Sequence, residues 1–534
     1  MSVPFSILKK IKNSLRLTVC EAVSSAAVQG FGNAGISSMN SQYISAYAIA
    51  LRATNSEISL ILALPLLISS VVQLRAADLI KKLGSRKRVA ALVGFINILL
   101  WLPFILIPFL FHSNQIWWFL AFFSLITVFW TLDDPAWDSL ISDLVPLRRR
   151  GKFFGRRKLI GGAILLATSF VAGFILTSFE SNILMGFFII FSSAMLARCI
   201  SWLFVIRVYE PPMEVTQEAQ FKFSDFVKDL WHTKAGKVIL LSAFMNLAIY
   251  MAAPFYSVYM LQDMKLNMMT FTIINLSATA ATLITFAFWG RKIDNSGPTG
   301  VIAISCLCIS FIPLLWTLGH KVPYLMTVQF FSGFMMAGFN LSIPAYIFIN
   351  TSPEKRAHYL SYLYALNMGM AGIGTLVGGF LVTRVLEPQL LSSKFLDLFL
   401  ISGVLSGLVA FSFVSSLAEA PILYQRYFGK PKHNVSAGPS PAARIRRGLK
   451  YYVPRLPALT PAYQTVNISV TQVAAYQRPQ REIRKALPAV RPGLYYSPDL
   501  KLKHESSSGS RLLTTEETRS KRGLYNFIRS VDAK

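Results

Sequence analysis

A chain of 534 residues with 53% hydrophobic content, a mean hydropathy of +0.48 and only 15% charged residues is not a string of soluble domains, because it has too little charge to solvate their surfaces. A net charge of +28 would suit a nucleic-acid partner, but the basic residues crowd into loops and a long C-terminal tail, so nucleic acid is not expected. Cys20, Cys199, Cys306 and Cys308 fall in or beside apolar runs with no His at ligand spacing, so they read as packing residues and neither a metal nor a cofactor is expected.

Twelve apolar stretches follow one another between residues 20 and 418. Each is long enough to cross a hydrocarbon core, which takes roughly 20 residues, and inside lipid such a stretch must be helical to satisfy its own backbone. Residues 1–19 carry Leu8, Ile11 and Leu15 at helical spacing among lysines, which predicts a short interfacial helix and no cleavable leader. Span one (20–50) is the most polar. Glu21, Ser25, Gln29, Asn33, Ser37 and Ser41 recur four residues apart, and facing lipid they would be costly, so Gln29, Asn33 and Ser37 are expected on a cavity wall.

Spans two (57–80) and three (87–111) flank a loop containing Lys81, Lys82, Arg86, Lys87 and Arg88. Span four (116–141) carries Trp130, Asp133, Asp134, Trp137 and Asp138 and ends before Arg148, Arg149 and Arg150. Spans five (155–179) and six (183–208) follow, with Arg198 late in span six at a depth similar to Asp133. Glu21, Asp133, Asp134 and Arg198 are the one concentration of acid and base near the membrane core. It reads either as a coupling or gating network or as fixed pairing.

The connection 209–236 contains an amphipathic stretch around Phe221–Trp231 and divides the spans into two sets of six. Span seven (237–261) bears Asn246, Tyr250 and Tyr256. Span eight (268–290) leads into Gly290-Arg-Lys-Ile-Asp294-Asn-Ser-Gly297. Spans nine (299–318), ten (323–350, with Gln329 and Asn340), eleven (358–383, with Tyr364 and Asn367) and twelve (394–418) complete the set. Tyrosines and amides in otherwise apolar helices suit a cavity of mixed polarity. Residues 419–534 are rich in Pro, Arg, Tyr and Ser and are expected to be mostly disordered, lying on anionic headgroups.

Loop charge sets the orientation. The loops on one side hold the lysine and arginine clusters and those on the other only scattered charges, so the positive-inside rule puts both termini in the cytoplasm of a multi-pass cell-membrane protein. The halves also echo each other. Arg150 follows span four and Arg356 follows span ten, each shortly after a proline, and the same number of residues separates Arg150 from Gly173 and Arg356 from Gly379. Gly30, Gly32 and Gly35 match a dinucleotide fingerprint formally, but they follow no strand and lie in a membrane helix, where small residues serve close packing. Gly374 and Gly378 read the same way.

The twelve spans, the basic inner loops, the six-plus-six repeat and the run from Gly290 to Gly297 together resemble the major facilitator superfamily, whose signature is Gly-x-x-x-Asp-x-x-Gly with basic neighbours. The resemblance covers residues 20–418. It implies an all-α fold of two pseudo-symmetric six-helix bundles, 20–208 and 237–418, joined by a cytoplasmic linker at 209–236 and rocking about a central cavity. It implies that Asp294 and Arg291, between Gly290 and Gly297, help to close the cytoplasmic side, with Arg150 and Arg356 beside them. In the first half the position expected to be Asp is Lys81, one turn beyond Asp78.

These readings lead to a monomeric secondary transporter, not an enzyme, moving a small molecule by alternating access with a role for the span-four acids in coupling. No Walker-type loop for ATP is found. A second reading is a transporter-like receptor signalling through the basic tail.

Overall fold

The computed structural model describes residues 5–32, 42–146, 150–211, 223–352, 355–386 and 391–417; Asn33, Ser37 and the whole C-terminal tail lie outside the described residues. In chain order the helices are α1 (Phe5–Gly32), α2 (Gln42–Ala50), α3 (Asn55–Gln73), α4 (Ala76–Leu83), α5 (Arg86–Ile105), α6 (Ile107–Leu110), α7 (Gln115–Leu144), α8 (Arg150–Ser178), α9 (Ile183–Val205), α10 (Phe223–His232), α11 (Lys234–Val258), α12 (Met268–Ser296), α13 (Pro298–Leu318), α14 (Val322–Asn350), α15 (Arg356–Phe380) and α16 (Lys394–Leu417). No strand occurs among the described residues. Eleven of these segments are long and apolar enough to cross a membrane, and they correspond to spans two to twelve. Polar caps mark where several begin. Thr54 and Glu57 form a reciprocal capping box on α3, while Ser85, Thr233 and Asn267 accept backbone N–H groups at the starts of α5, α11 and α12.

Span one differs from the expected single stretch. Its helix begins at Phe5, so the basic segment is continuous with α1 rather than a separate interfacial helix. The physical reason is local: no proline interrupts Phe5–Gly32, and Ile11 and Leu15 pack against the buried cluster that includes Trp137, Leu140 and Phe154. The far end of span one is carried by α2.

Helix pairing repeats across the two halves. In the first, α1 packs on α8 and α9, α3 on α7, and α5 on α7 and α9; in the second, α11 packs on α15 and α16, α12 on α14, and α13 on α14 and α16. Advancing each span by six converts one set of pairs into the other. Between the halves, α3 packs on α15, α8 on α12, and α2 on α11. Exchange of halves turns the first of these interfaces into the second. Two six-helix bundles related by an approximate two-fold axis are therefore present in the packing as well as in the chain.

Small residues set how closely these helices approach. A Cβ on Gly374 would lie 2.2 Å from the Leu247 carbonyl oxygen, and one on Gly378 only 2.1 Å from that of Met251, so α15 presses backbone-first on α11. Gly30 meets Thr168 and Gly32 meets the Trp101 ring at comparable range. Packing accounts for Gly30, Gly32, Gly374 and Gly378.

Candidate functional site

A cavity of about 90 Å³ lies halfway along the helices, where the two halves face each other. Its polar wall comes from the second half. Ser242, Asn246 and Tyr250 succeed one another at four-residue steps on α11; Asn340 comes from α14; Tyr364 and Asn367 come from α15. Leu66 of α3 faces them from the first half. Of the residues expected on a cavity wall, Asn246, Tyr250, Asn340, Tyr364 and Asn367 meet here. Pro344, also in the lining, lies inside α14 one turn from Asn340 and removes a backbone donor there.

Hydrogen bonds pre-position this wall. The Asn246 amide donates to the Ser242 carbonyl oxygen at 2.8 Å, and the Asn367 amide donates to the Ser242 hydroxyl at 2.9 Å. The Asn367 Oδ1 is buried and has no hydrogen-bond partner.

Other expected wall residues sit elsewhere. Gln329 donates to Asn275 at 3.4 Å between α14 and α12. The Tyr256 ring stacks on Trp316 with centroids 4.6 Å apart, in an aromatic cluster with Phe399. Gln29 is half-buried on α1. Trp130 lies beneath the Arg198 guanidinium, 4.8 Å from ring centroid to carbon.

The acids and bases of the first half form two buried networks. Arg198 on α9 contacts Asp133 on α7 at 2.6 Å and donates to Asn97 on α5 at 3.3 Å, and Asn97 in turn donates to the Ile126 carbonyl oxygen. Glu21 on α1 pairs with Arg157 on α8 at 2.6 Å and accepts from the Trp137 indole at 2.9 Å, while the Ser201 hydroxyl lies 3.4 Å away. Lipid-depth charges are costly unless paired, and both networks pair theirs inside one bundle, although the Asp133 Oδ1 is buried without a hydrogen-bond partner. Asp138 likewise has a buried oxygen, Oδ2, without a hydrogen-bond partner, and it lies within electrostatic range of Asp134, Glu21, Arg157 and Lys158 in the first half and of Tyr364 in the second.

At the end of the molecule that carries the basic loops, Arg86 pairs with Asp143, and Glu210 accepts from the backbone N–H groups of Arg86 (2.7 Å) and Lys87 (3.2 Å) and from the Ser85 hydroxyl (2.6 Å). A carboxylate thus caps the N-terminus of α5, where the helix dipole favours negative charge. Sequence reading did not single out Asn97, Asp143 or Glu210. The available signal was a lone amide in an apolar span and an acid at each edge of a basic loop.

The run from Gly290 to Gly297 ends α12. Gly290 is buried, Arg291 and Asp294 are exposed in the last two turns, and Gly297 (φ +79°) turns the chain into α13, which starts at Pro298. Arg356 opens α15 and donates to the Thr351 carbonyl oxygen at 3.2 Å. The side chain of Arg150 lies outside the described residues.

At the opposite end the halves are joined. The Tyr43 hydroxyl donates to the Ser169 carbonyl oxygen (2.7 Å) and accepts from the Thr272 hydroxyl (3.2 Å). Gly379 of α15 lies against Ser59 of α3, and Gly173 of α8 against Thr272 of α12.

Two bundles of like pairing, meeting about a mainly apolar cavity with polar groups at mid-depth, define a multi-pass membrane transporter. The chain belongs to the Major Facilitator Superfamily, whose profile it matches over residues 23–319 and 238–450. No curated protein matches it in sequence. Among solved structures, it is similar to a point mutant of the nucleoside transporter NupG, with a TM-score of 0.60 and 15% identity over 76% of this chain and 99% of that one. It is also similar to a bacterial homologue of the iron transporter ferroportin in an inward-facing state, with a TM-score of 0.56 and 14% identity over 77% of this chain and 99% of that one. The protein is a secondary transporter of a small molecule.

Proposed function

We propose that the protein works by alternating access, with its cargo held between α11, α14 and α15 on one side and α3 on the other. The observation that carries this reading is the interface geometry. The pair α3 on α15 and the pair α8 on α12 exchange under the two-fold, so rocking the halves opens one end as it closes the other. The bond of Tyr43 to Thr272 belongs to a state closed at the end away from the basic loops. Positive-inside charge supports a cytoplasmic basic end, with both termini on that side of a cell membrane.

In this reading 20–208 and 237–418 move as bodies about the 209–236 linker. Glu21, Asp133 and Arg198 keep the first body rigid, and Asp134 lies beside them. Gly290, Arg291, Asp294 and Gly297, with Arg150 and Arg356, form the second cytoplasmic closure opposite Arg86, Asp143 and Glu210. The transporter acts as a monomer, and its basic tail rests on anionic lipid.

Cysteines replacing Tyr43 and Thr272, in a background free of other cysteines, test the cycle. Oxidising the pair should confine labelling of a third cysteine at Asn340 to reagent on the basic side, and reduction should restore labelling from both sides. Two-sided labelling of the cross-linked protein would refute alternating access through this interface.

A further inference from the structure

Resting on the central cavity as the cargo site, we propose that the cargo is an uncharged molecule with hydroxyl or N–H donors and non-polar or aromatic surface, and that the Asn367 amide oxygen recognises those donors. The cavity lining contains no carboxylate, ammonium, guanidinium or imidazole group. Its polar atoms belong to the amides of Asn246, Asn340 and Asn367, the Ser242 hydroxyl and the phenols of Tyr250 and Tyr364. An ion entering this space would leave water without meeting a counter-charge on the wall, and that desolvation is the largest penalty a cargo could face here.

The hydrogen bonds narrow the chemistry further. Ser242 accepts one N–H from each of Asn246 and Asn367, at 2.8 Å and 2.9 Å, which leaves each amide a second N–H. Asn367 also keeps its Oδ1, buried and unpartnered. A buried acceptor without a donor is unfavourable in the empty site and is relieved when a cargo O–H or N–H reaches it. A carboxylate or phosphate oxygen at that point would face another acceptor. The tyrosine hydroxyls can donate or accept, as the hydroxyls of a neutral polyol or nucleoside can. Leu66, Ile343, Met368 and Phe339, also in the lining, add apolar surface, which favours a cargo with non-polar or aromatic surface. Selectivity of this kind is strong, because a site built around an unpaired polar atom discriminates against molecules that cannot satisfy it.

Purified full-length protein tests this by thermal shift with matched pairs: uridine against uridine monophosphate, glucose against glucuronate, and inositol against inositol phosphate. A neutral member should raise the melting temperature while its charged partner does not. Asn367→Leu should weaken binding of that neutral member about tenfold or more, as loss of a hydrogen bond to a buried acceptor does, with the unliganded melting temperature reporting that the variant is folded. Met368→Trp, which fills the cavity, should abolish the binding. A charged member that stabilises as well as its neutral partner, and is lost in Met368→Trp, overturns the cargo class while leaving the site in place. Neutral binding that survives Met368→Trp overturns the site itself. Neutral binding undiminished in Asn367→Leu overturns the role of the amide oxygen.

Discussion

The Tyr43 hydroxyl of the first half accepts a hydrogen bond from the Thr272 hydroxyl of the second at 3.2 Å, across the end of the molecule away from the basic loops. Tyr43→Phe removes this bond and the one to Ser169 while keeping the buried ring. A lost bond of this kind is worth about 1 kcal/mol, or roughly fivefold in the balance between states. The rate at which an impermeant thiol reagent labels a cysteine at Asn340 from that end should rise by a similar factor. An unchanged rate would mean that the bond exists in both states.

Arg198 and Asp133 form a buried ion pair whose side chains are 4% and 11% exposed. Removing one partner strands the other charge, which costs about 3–5 kcal/mol in buried pairs. Arg198→Leu should therefore lower the melting temperature sharply, and adding Asp133→Asn should recover much of the loss. If Asp133→Asn alone left stability intact yet ended gradient-driven accumulation, the pair would be a coupling device and not a strut.

Asp138 lies within electrostatic range of Tyr364 on the cavity wall and has a buried oxygen with no hydrogen-bond partner. Coupling by a carboxylate requires a group that both halves can influence, and Asp138 answers that description better than the paired Asp133. Asp138→Asn should abolish uphill accumulation in vesicles while preserving exchange of cargo down its gradient. Normal accumulation in this variant would assign coupling elsewhere, with Asp134 the next acid to neutralise.

Glu210 caps α5 and borders the pair of Arg86 with Asp143, while in the second half Asp294 lies at the end of α12 and Arg356 opens α15. Glu210→Gln should cost about 1 kcal/mol, the usual scale of a lost charged cap. It should also slow transport while leaving affinity within a few-fold. Asp294→Asn should do the same if both halves contribute to closure, and full transport velocity in both variants would remove this layer from the cycle.

Orientation is checked by labelling intact cells. Ser113 and Ser296 are exposed at opposite ends of the molecule. A cysteine at Ser113 should react with an impermeant reagent and one at Ser296 should not until the membrane is opened. The reverse pattern would invert the topology.

Hydropathy made the membrane helices legible because lipid forces long apolar runs into one conformation. It also marked the residues that need partners, and five of the second-half candidates do converge. It could not assign those partners, because polarity marks a residue without fixing how its helix is rotated. Gln329 and Tyr256 look like Asn340 and Tyr364 in composition, yet they turn to Asn275 and Trp316. Asn97 gave little sign of its bond to Arg198, since span three is otherwise apolar and the two residues are far apart in sequence. The continuous helix from Phe5 was hidden by its lysines, which suggested an interface where the chain simply continues.

Gly374 and Gly378 bring α15 onto α11 with almost no side-chain layer between them, and these are two of the three helices that carry the polar cavity wall. Such a seam cannot slide without backbone collision. The amides and phenols of Asn246, Tyr250, Tyr364 and Asn367 therefore keep their spacing as the molecule changes shape, and cargo bound to them travels with the second bundle as a passenger. The first bundle, offering Leu66, behaves as a shutter. A hybrid transporter should inherit its choice of passenger from whichever parent supplied residues 237–418.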